Sequence, residues 1–243
     1  MRAWARTYWI YRNTSGKAER LFMKIIKLKK NNRSSTINEV VKILKQGGTI
    51  VYPTETAYGL GADFFNARAI KKVYLIKGRD YKKPLSVIVS NLAMAKKLVK
   101  FNKVSLKLAK KYWPGPLTLI SNAEFRISNQ EQISNFKIKN SKLIRNSKLE
   151  INNYKTLGLR VSSNKFAAAI VKKFGGPITA TSANVSGKGE CYSAAEVIKQ
   201  FKNKKDQPDL VIDVGLLPKR KVSTVVKYLY KKKIVLRKGD IKV

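Results

Sequence analysis

The chain has 243 residues, enough for one α/β domain or two small ones, and 44% of them are hydrophobic, so a core needs no staples. It carries 52 Lys+Arg against 14 Asp+Glu, a net charge of +38, with no His and one Cys. The missing His excludes Ser–His and Cys–His nucleophile pairs and His-ligated zinc, and Cys191 alone excludes an intramolecular disulfide or a multi-Cys metal site. Chemistry is left to Lys, Arg, Ser, Thr, Asn, a few carboxylates and backbone amides. The charge suits a polyanionic partner: nucleic acid, nucleotide phosphates or an anionic membrane. A lysine-decorated solvated surface accounts somewhat better for the bulk of it, because Lys runs along the whole chain. No apolar run approaches the roughly 20 residues that span a bilayer, so a cytoplasmic protein without a membrane partner is expected.

Residues 1–22, rich in Arg and holding two of the three Trp, differ in composition from the Lys-rich remainder. They read as a leader or upstream sequence outside the fold, with Met23 as the natural start. Thr36-Ile-Asn-Glu39 has capping-box spacing and opens a helix with one buried stripe, ending at Gly47. Thr49–Tyr52 is a short strand ending at Pro53. A helix from about Asn66 to Ile76 follows, then strand Leu85–Val89, helices 92–100 and 105–112, and strand Leu117–Ile120. Beyond come strand 157–161, helix 164–174, strand 177–181, helix 193–202 and strand 209–214. The hairpin Thr224–Tyr230 and Ile234–Leu236 closes the chain. Strands alternating with helices predict an α/β fold, an open twisted mixed sheet with helices on its faces.

Residues 121–155 interrupt this order. Polar pairs recur there every six residues, from 128 to 152, without Gly or Pro. Five imperfect copies make a poor β-helix, and the segment reads as a low-complexity surface insertion that tolerates deletion.

Four segments are rich in residues that bind phosphate or carboxylate. Pro53-Thr-Glu-Thr-Ala-Tyr-Gly-Leu-Gly61 follows a strand; its glycines permit close backbone approach and its hydroxyls donate and accept, although a plain glycine turn fits as well. Lys77-Gly-Arg79 with Lys82-Lys83-Pro84 sets four cations at a helix end, for a triphosphate or for the helix dipole. Thr179-Ala-Thr-Ser-Ala-Asn-Val-Ser-Gly187 places small polar residues at a strand end, where open α/β sheets line ligand crevices. Arg160 and Arg237 stand in apolar strands and need an anionic partner, either a structural carboxylate or a ligand; with so few acids available, a ligand anion is favoured for Arg160.

Together GGTIVYPTETAYGLGAD, KGR with KPL, WPGPLT, LGLRV, PITATSANVSG, STVV and LRKG, running from about Gly47 to Gly239, resemble the YrdC-like family, the L-threonylcarbamoyladenylate synthases. The resemblance implies an open α/β fold with a deep basic cleft. It also implies a reaction joining L-threonine, bicarbonate or CO2, and ATP into threonylcarbamoyl-AMP and pyrophosphate. The product would pass to the downstream tRNA threonylcarbamoyl-transferase machinery. The matched motifs imply Thr56, Arg160, Ala180 and Ser223 around threonine. They imply Arg79, Lys83, Thr156, Ser182 and Arg237 around the nucleotide, and Lys77, Arg79, Ser182 and Asn184 as the catalytic signature group. The insertion falls just before Thr156, and 188–192 aligns too poorly to carry any residue. Mg2+ is expected to arrive with ATP, as the chain has no clustered carboxylates to hold it. The competing reading is a non-catalytic module that holds tRNA or other RNA in a basic cleft, with salt-dependent affinity and no turnover. A hydrogenase-maturation carbamoyltransferase, which contains a similar domain, would need Cys-rich zinc modules that a single Cys excludes.

Overall fold

The computed structural model describes residues 9–12, 18–21, 23–81, 83–122, 156–229 and 232–243. Most of the interruption at 121–155 therefore lies outside the described residues, as do residues 1–8, 13–17 and 22. The strands are β1 (Trp9–Arg12), β2 (Ala18–Leu21), β3 (Lys24–Lys27), β4 (Thr49–Pro53), β5 (Tyr58–Ala62), β6 (Ser86–Ile88) and β7 (Leu117–Asn122). They continue as β8 (Thr156–Arg160), β9 (Ile178–Thr179), β10 (Thr181–Ser182), β11 (Leu210–Asp213), β12 (Thr224–Leu229) and β13 (Lys232–Arg237). The helices are α1 (Arg33–Lys45), α2 (Ala67–Lys77), α3 (Leu92–Leu98), α4 (Lys103–Tyr112), α5 (Lys165–Phe174) and α6 (Ala194–Phe201). β1 and β2 pair as a hairpin, a sheet of their own. Among the described residues no helix is long and apolar enough to cross a membrane.

The mixed α/β arrangement is present, but as two mixed sheets. One has the order β10-β5-β4-β11-β3 and the other β13-β12-β7-β8-β6-β9. They meet in one short segment: β9 pairs with β6 and β10 with β5, and the chain changes sheets at Ala180, whose N–H donates to Ser86 O at 2.7 Å. The seam between the sheets thus runs through the threonine- and serine-rich stretch 179–182.

Two strands differ from the sequence expectation. Tyr58–Ala62 looked like a glycine turn, yet β5 is a wholly buried strand antiparallel to β4. Its glycines answer to a neighbour: a Cβ on Gly61 would lie 2.8 Å from Tyr52 Cε1, so the tyrosine ring occupies the space a side chain would need. Lys24–Lys27, two isoleucines flanked by Lys that carry no predicted element, forms a strand in parallel pairing with the distant β11. The capping box is also displaced. α1 starts at Arg33 with Thr36 buried inside it, and the Glu39 carboxylate reaches Lys24 on β3 at 2.8 Å. The box that does form is at α6, where Ser193 Oγ accepts the Glu196 N–H and the Glu196 carboxylate accepts the Ser193 N–H.

Asp63, 8% exposed at the end of β5, sits against the apolar interior. Burial pushes its pKa up to about 6 against the opposing pull of the Phe65 N–H. Folding then favours the protonated form, so this group's contribution is full below its unfolded pKa near 3.8 and is lost as pH rises through about 6. Asp63→Asn keeps an acceptor for Phe65 and is expected to stabilise the protein at pH 7 by about 1–2 kcal/mol. Thermal melts at pH 7 and pH 4 check this; the gain should vanish at the lower pH.

β7 and β8 are antiparallel neighbours, with Asn122 directly opposite Thr156. The two ends of the interruption therefore lie side by side, a separation that a short turn spans. Replacing residues 125–152 by a short Gly/Ser linker is expected to leave the melting temperature within a few degrees. A large drop would show that the repeat contributes packed structure.

Candidate active site

The turn between β4 and β5 is closed by Thr54. Its hydroxyl donates to Ala57 O (2.6 Å) and accepts the N–H groups of Thr56 (3.2 Å) and Ala57 (3.3 Å). Its Oγ1 also shares a hydrogen bond with Thr56 Oγ1 at 3.1 Å. Thr54 and Thr56 face a cavity of about 260 Å³ at the sheet seam, while Glu55 between them does not line it.

The cavity's second wall is the end of α2. Gly78 takes the left-handed conformation (φ +58°) that ends the helix and separates two cations of opposite fate. Lys77 turns inward and is 2% exposed; its ammonium donates to Ser182 O (2.6 Å), Asn184 O (2.9 Å) and Asn184 Oδ1 (3.2 Å). Burial, helped by the neighbouring Arg79 charge, brings the Lys77 pKa down to about 8. Arg79 turns outward into the cavity and is steadied by Pro84 O (3.1 Å) and Lys83 O (3.4 Å).

The third wall joins three motifs that are far apart in sequence. β12 lies parallel to β7 and antiparallel to β13, which brings STVV, PLT and LRKG together. Ser223 Oγ shares a hydrogen bond with Thr118 Oγ1 at 3.0 Å. Arg237 grips the same serine twice, Nε to Ser223 O (2.9 Å) and Nη2 to Ser223 Oγ (2.8 Å). Burial of its head lowers the Arg237 pKa, with the Glu190 charge acting in the opposite direction.

The cavity thus gathers Thr56, Arg79, Arg160, Ala180, Ser182, Ser223 and Arg237. Lys77 and Asn184 are not among the lining residues; the Lys77 ammonium holds the carbonyls of Ser182 and Asn184 just behind the lining. Lys83 is exposed and Thr156 is half-buried at the start of β8; neither lines the cavity. Tyr52, Ser86, Thr118 and Glu190 line it without having been singled out from the sequence. Glu190 lies in the segment that carried no recognisable motif. The lining holds three arginines against this one carboxylate, and even with Arg160 paired to Glu55 the balance favours an anionic occupant.

Of the two anionic partners the sequence allowed Arg160, the structure supplies the structural carboxylate, although the ligand was favoured. Its Nη2 lies 2.8 Å from Glu55 Oε1 in a buried ion pair. Glu55 also accepts the Ser162 hydroxyl and the Ser163 N–H. Burial alone would raise the Glu55 pKa; the Arg160 charge and the Ser162 hydrogen bond outweigh it and hold the carboxyl below its usual range. Cys191 is buried, its pKa pushed up to about 12 chiefly by that burial, so it remains a thiol and offers no nucleophile.

The model of the Sua5/YciO/YrdC family, described as "Telomere recombination", matches residues 42–239. The threonylcarbamoyl-AMP synthase of Psychromonas ingrahamii is 33% identical over 174 residues, covering 70% of this chain and 81% of that protein. The crystal structure of P. abyssi Sua5 complexed with L-threonine superposes with a TM-score of 0.70 at 26% identity, covering 89% of this chain and 56% of that one. E. coli YciO superposes with a TM-score of 0.68 at 25% identity, covering 90% and 94% of the two chains. This chain therefore spans little more than half of the Sua5 chain and nearly all of YciO.

Proposed function

The chain belongs to the Sua5/YciO/YrdC family, and from that premise we propose that it is an L-threonylcarbamoyladenylate synthase, making threonylcarbamoyl-AMP from L-threonine, bicarbonate or CO2, and ATP. The observation that carries the reading is the convergence of Thr56, Arg160 and Ser223 with Arg79, Ser182 and Arg237 on one cavity. The first three suit an amino acid's carboxylate and polar groups, and the last three suit nucleotide phosphates.

The chemistry asks little of the protein beyond alignment. Threonine's neutral amine adds to CO2, giving a carbamate and a proton. A carbamate oxygen attacks the α-phosphorus, the bond to the bridging oxygen breaks, and pyrophosphate leaves with the electron pair. No protein nucleophile takes part, in keeping with the absence of His and the buried thiol. Arg79 and Arg237 neutralise charge that grows on the departing pyrophosphate, and positioned donors supply the remaining stabilisation. Mg2+ enters as part of the MgATP substrate; among the described residues no three His, Cys, Asp or Glu converge to hold it instead. The adenylate passes to the tRNA threonylcarbamoyl-transferase machinery, and the protein works in the cytoplasm.

Pyrophosphate release, measured with threonine, bicarbonate and ATP each omitted in turn, tests the assignment. Release should require all three. Release without threonine would point to another acceptor, and no release in the complete mixture would remove the synthase reading.

A further inference from the structure

Glu55 is the charged residue of the Pro53–Gly61 motif, and the mechanism leaves it unused. Its side chain is 8% exposed and is not among the residues that line the cavity, although its neighbours Thr54 and Thr56 are. Its carboxylate is fully engaged: one oxygen takes Arg160 Nη2 (2.8 Å) and the Ser163 N–H (3.1 Å), and the other takes the Ser162 hydroxyl. Ser162 is itself 1% exposed and accepts the Asn164 N–H at 3.2 Å, just where α5 begins. The carboxylate is therefore anchored to the β8–α5 junction. Arg160, on the same junction, lines the cavity and touches Thr56 Oγ1 at 3.5 Å, while its buried Nε has no hydrogen-bond partner.

A long guanidinium left to itself samples many rotamers, and a ligand that needs one of them bears that ordering cost on binding. We infer that Glu55 is a positioning residue for the amino-acid subsite: anchored by Ser162 and Ser163, it holds the Arg160 guanidinium in the cavity wall, ready for the substrate's carboxylate. The inference rests on the synthase reading and adds to it a residue that acts only through Arg160. It also accounts for Arg160, and not Glu55, standing in the lining, since a carboxylate there would repel the substrate that Arg160 attracts. Gln has the same length and retains an acceptor for Arg160, so it preserves the arrangement, whereas Ala removes it.

The test is steady-state pyrophosphate release, with threonine and ATP varied separately, on wild type, Glu55→Ala, Glu55→Gln and Ser162→Ala, alongside melting temperatures. Glu55→Ala should raise the threonine KM roughly 10- to 30-fold, the equilibrium equivalent of one ordered Arg side chain. Its ATP KM should stay within about twofold, because uniform loss of binding at one subsite leaves the other untouched. Glu55→Gln should recover most of the threonine affinity. Ser162→Ala, which keeps the ion pair but loosens its anchor, should shift the threonine KM in the same direction by a smaller factor. A folded Glu55→Ala with an unchanged threonine KM, or with both KM values raised alike, overturns the positioning role. If Glu55→Ala does not fold, an unchanged threonine KM in Ser162→Ala overturns it. Wild type that binds ATP but no threonine overturns the synthase reading itself, a result distinguishable from both.

Discussion

Arg79→Ala and Arg237→Ala are each expected to lower the rate of threonylcarbamoyl-AMP synthesis roughly 100- to 1,000-fold, the usual cost of removing one preorganised donor from a site of developing charge. Both side chains line the cavity, and each is held by backbone carbonyls: Arg79 by Lys83 and Pro84, Arg237 by Ser223. Neither ion-pairs with a carboxylate among the described residues, so their charge is available to an anionic ligand. The fold should survive, because neither substitution opens the core or strands a buried charge. Arg237→Lys is a useful intermediate: it restores the charge but not the fork that holds Ser223 at two points, so partial activity is expected. Pyrophosphate release and thermal melts on the three variants check this. A folded Arg79→Ala or Arg237→Ala with undiminished turnover would remove that arginine from the nucleotide site.

The second large effect concerns Arg160. Arg160→Leu is expected to raise the threonine requirement roughly 10- to 150-fold, the equivalent of losing a charge-assisted pair. It also leaves the Glu55 carboxylate buried without its partner, at a cost of about 3–5 kcal/mol in stability. The double variant Arg160→Leu with Glu55→Gln removes both charges and should recover much of the melting temperature while keeping the defect for threonine. A protein that merely held RNA would behave in the opposite manner. Threonine would not bind, and loss of a phosphate contact would weaken RNA affinity and flatten its salt dependence. Calorimetric threonine binding, together with RNA binding at two salt concentrations on wild type and the double variant, separates the two. RNA affinity that falls while threonine binding is absent from wild type would favour the RNA module.

By itself the sequence determined the chemical class of this protein. Without His, and with a single Cys, it left positioned cations and hydroxyls to do the work, and the ordered motifs from Gly47 to Gly239 carried the family. Most helices and strands were legible too, because apolar periodicity is a local signal, although the Asn caps that start four of the helices were seen only in the structure. What the tertiary structure alone decided was partnership. Tyr58–Ala62 becomes a strand because Thr49–Pro53 pairs with it and the Tyr52 ring fills the space over Gly61, neither of which is encoded in its own five residues. The single expected sheet divides in two because the segment 178–182 changes partners at Ala180. Lys77 and Arg79, alike in charge and two residues apart, separate into a buried brace and a cavity cation because the left-handed turn at Gly78 sends them to opposite sides of the wall. Arg160 needed an anionic partner, a structural carboxylate or a ligand; it lines the cavity and also holds Glu55, since an ion pair between β8 and the β4–β5 turn depends on how two sheets meet, and no spacing along one chain segment records that distance.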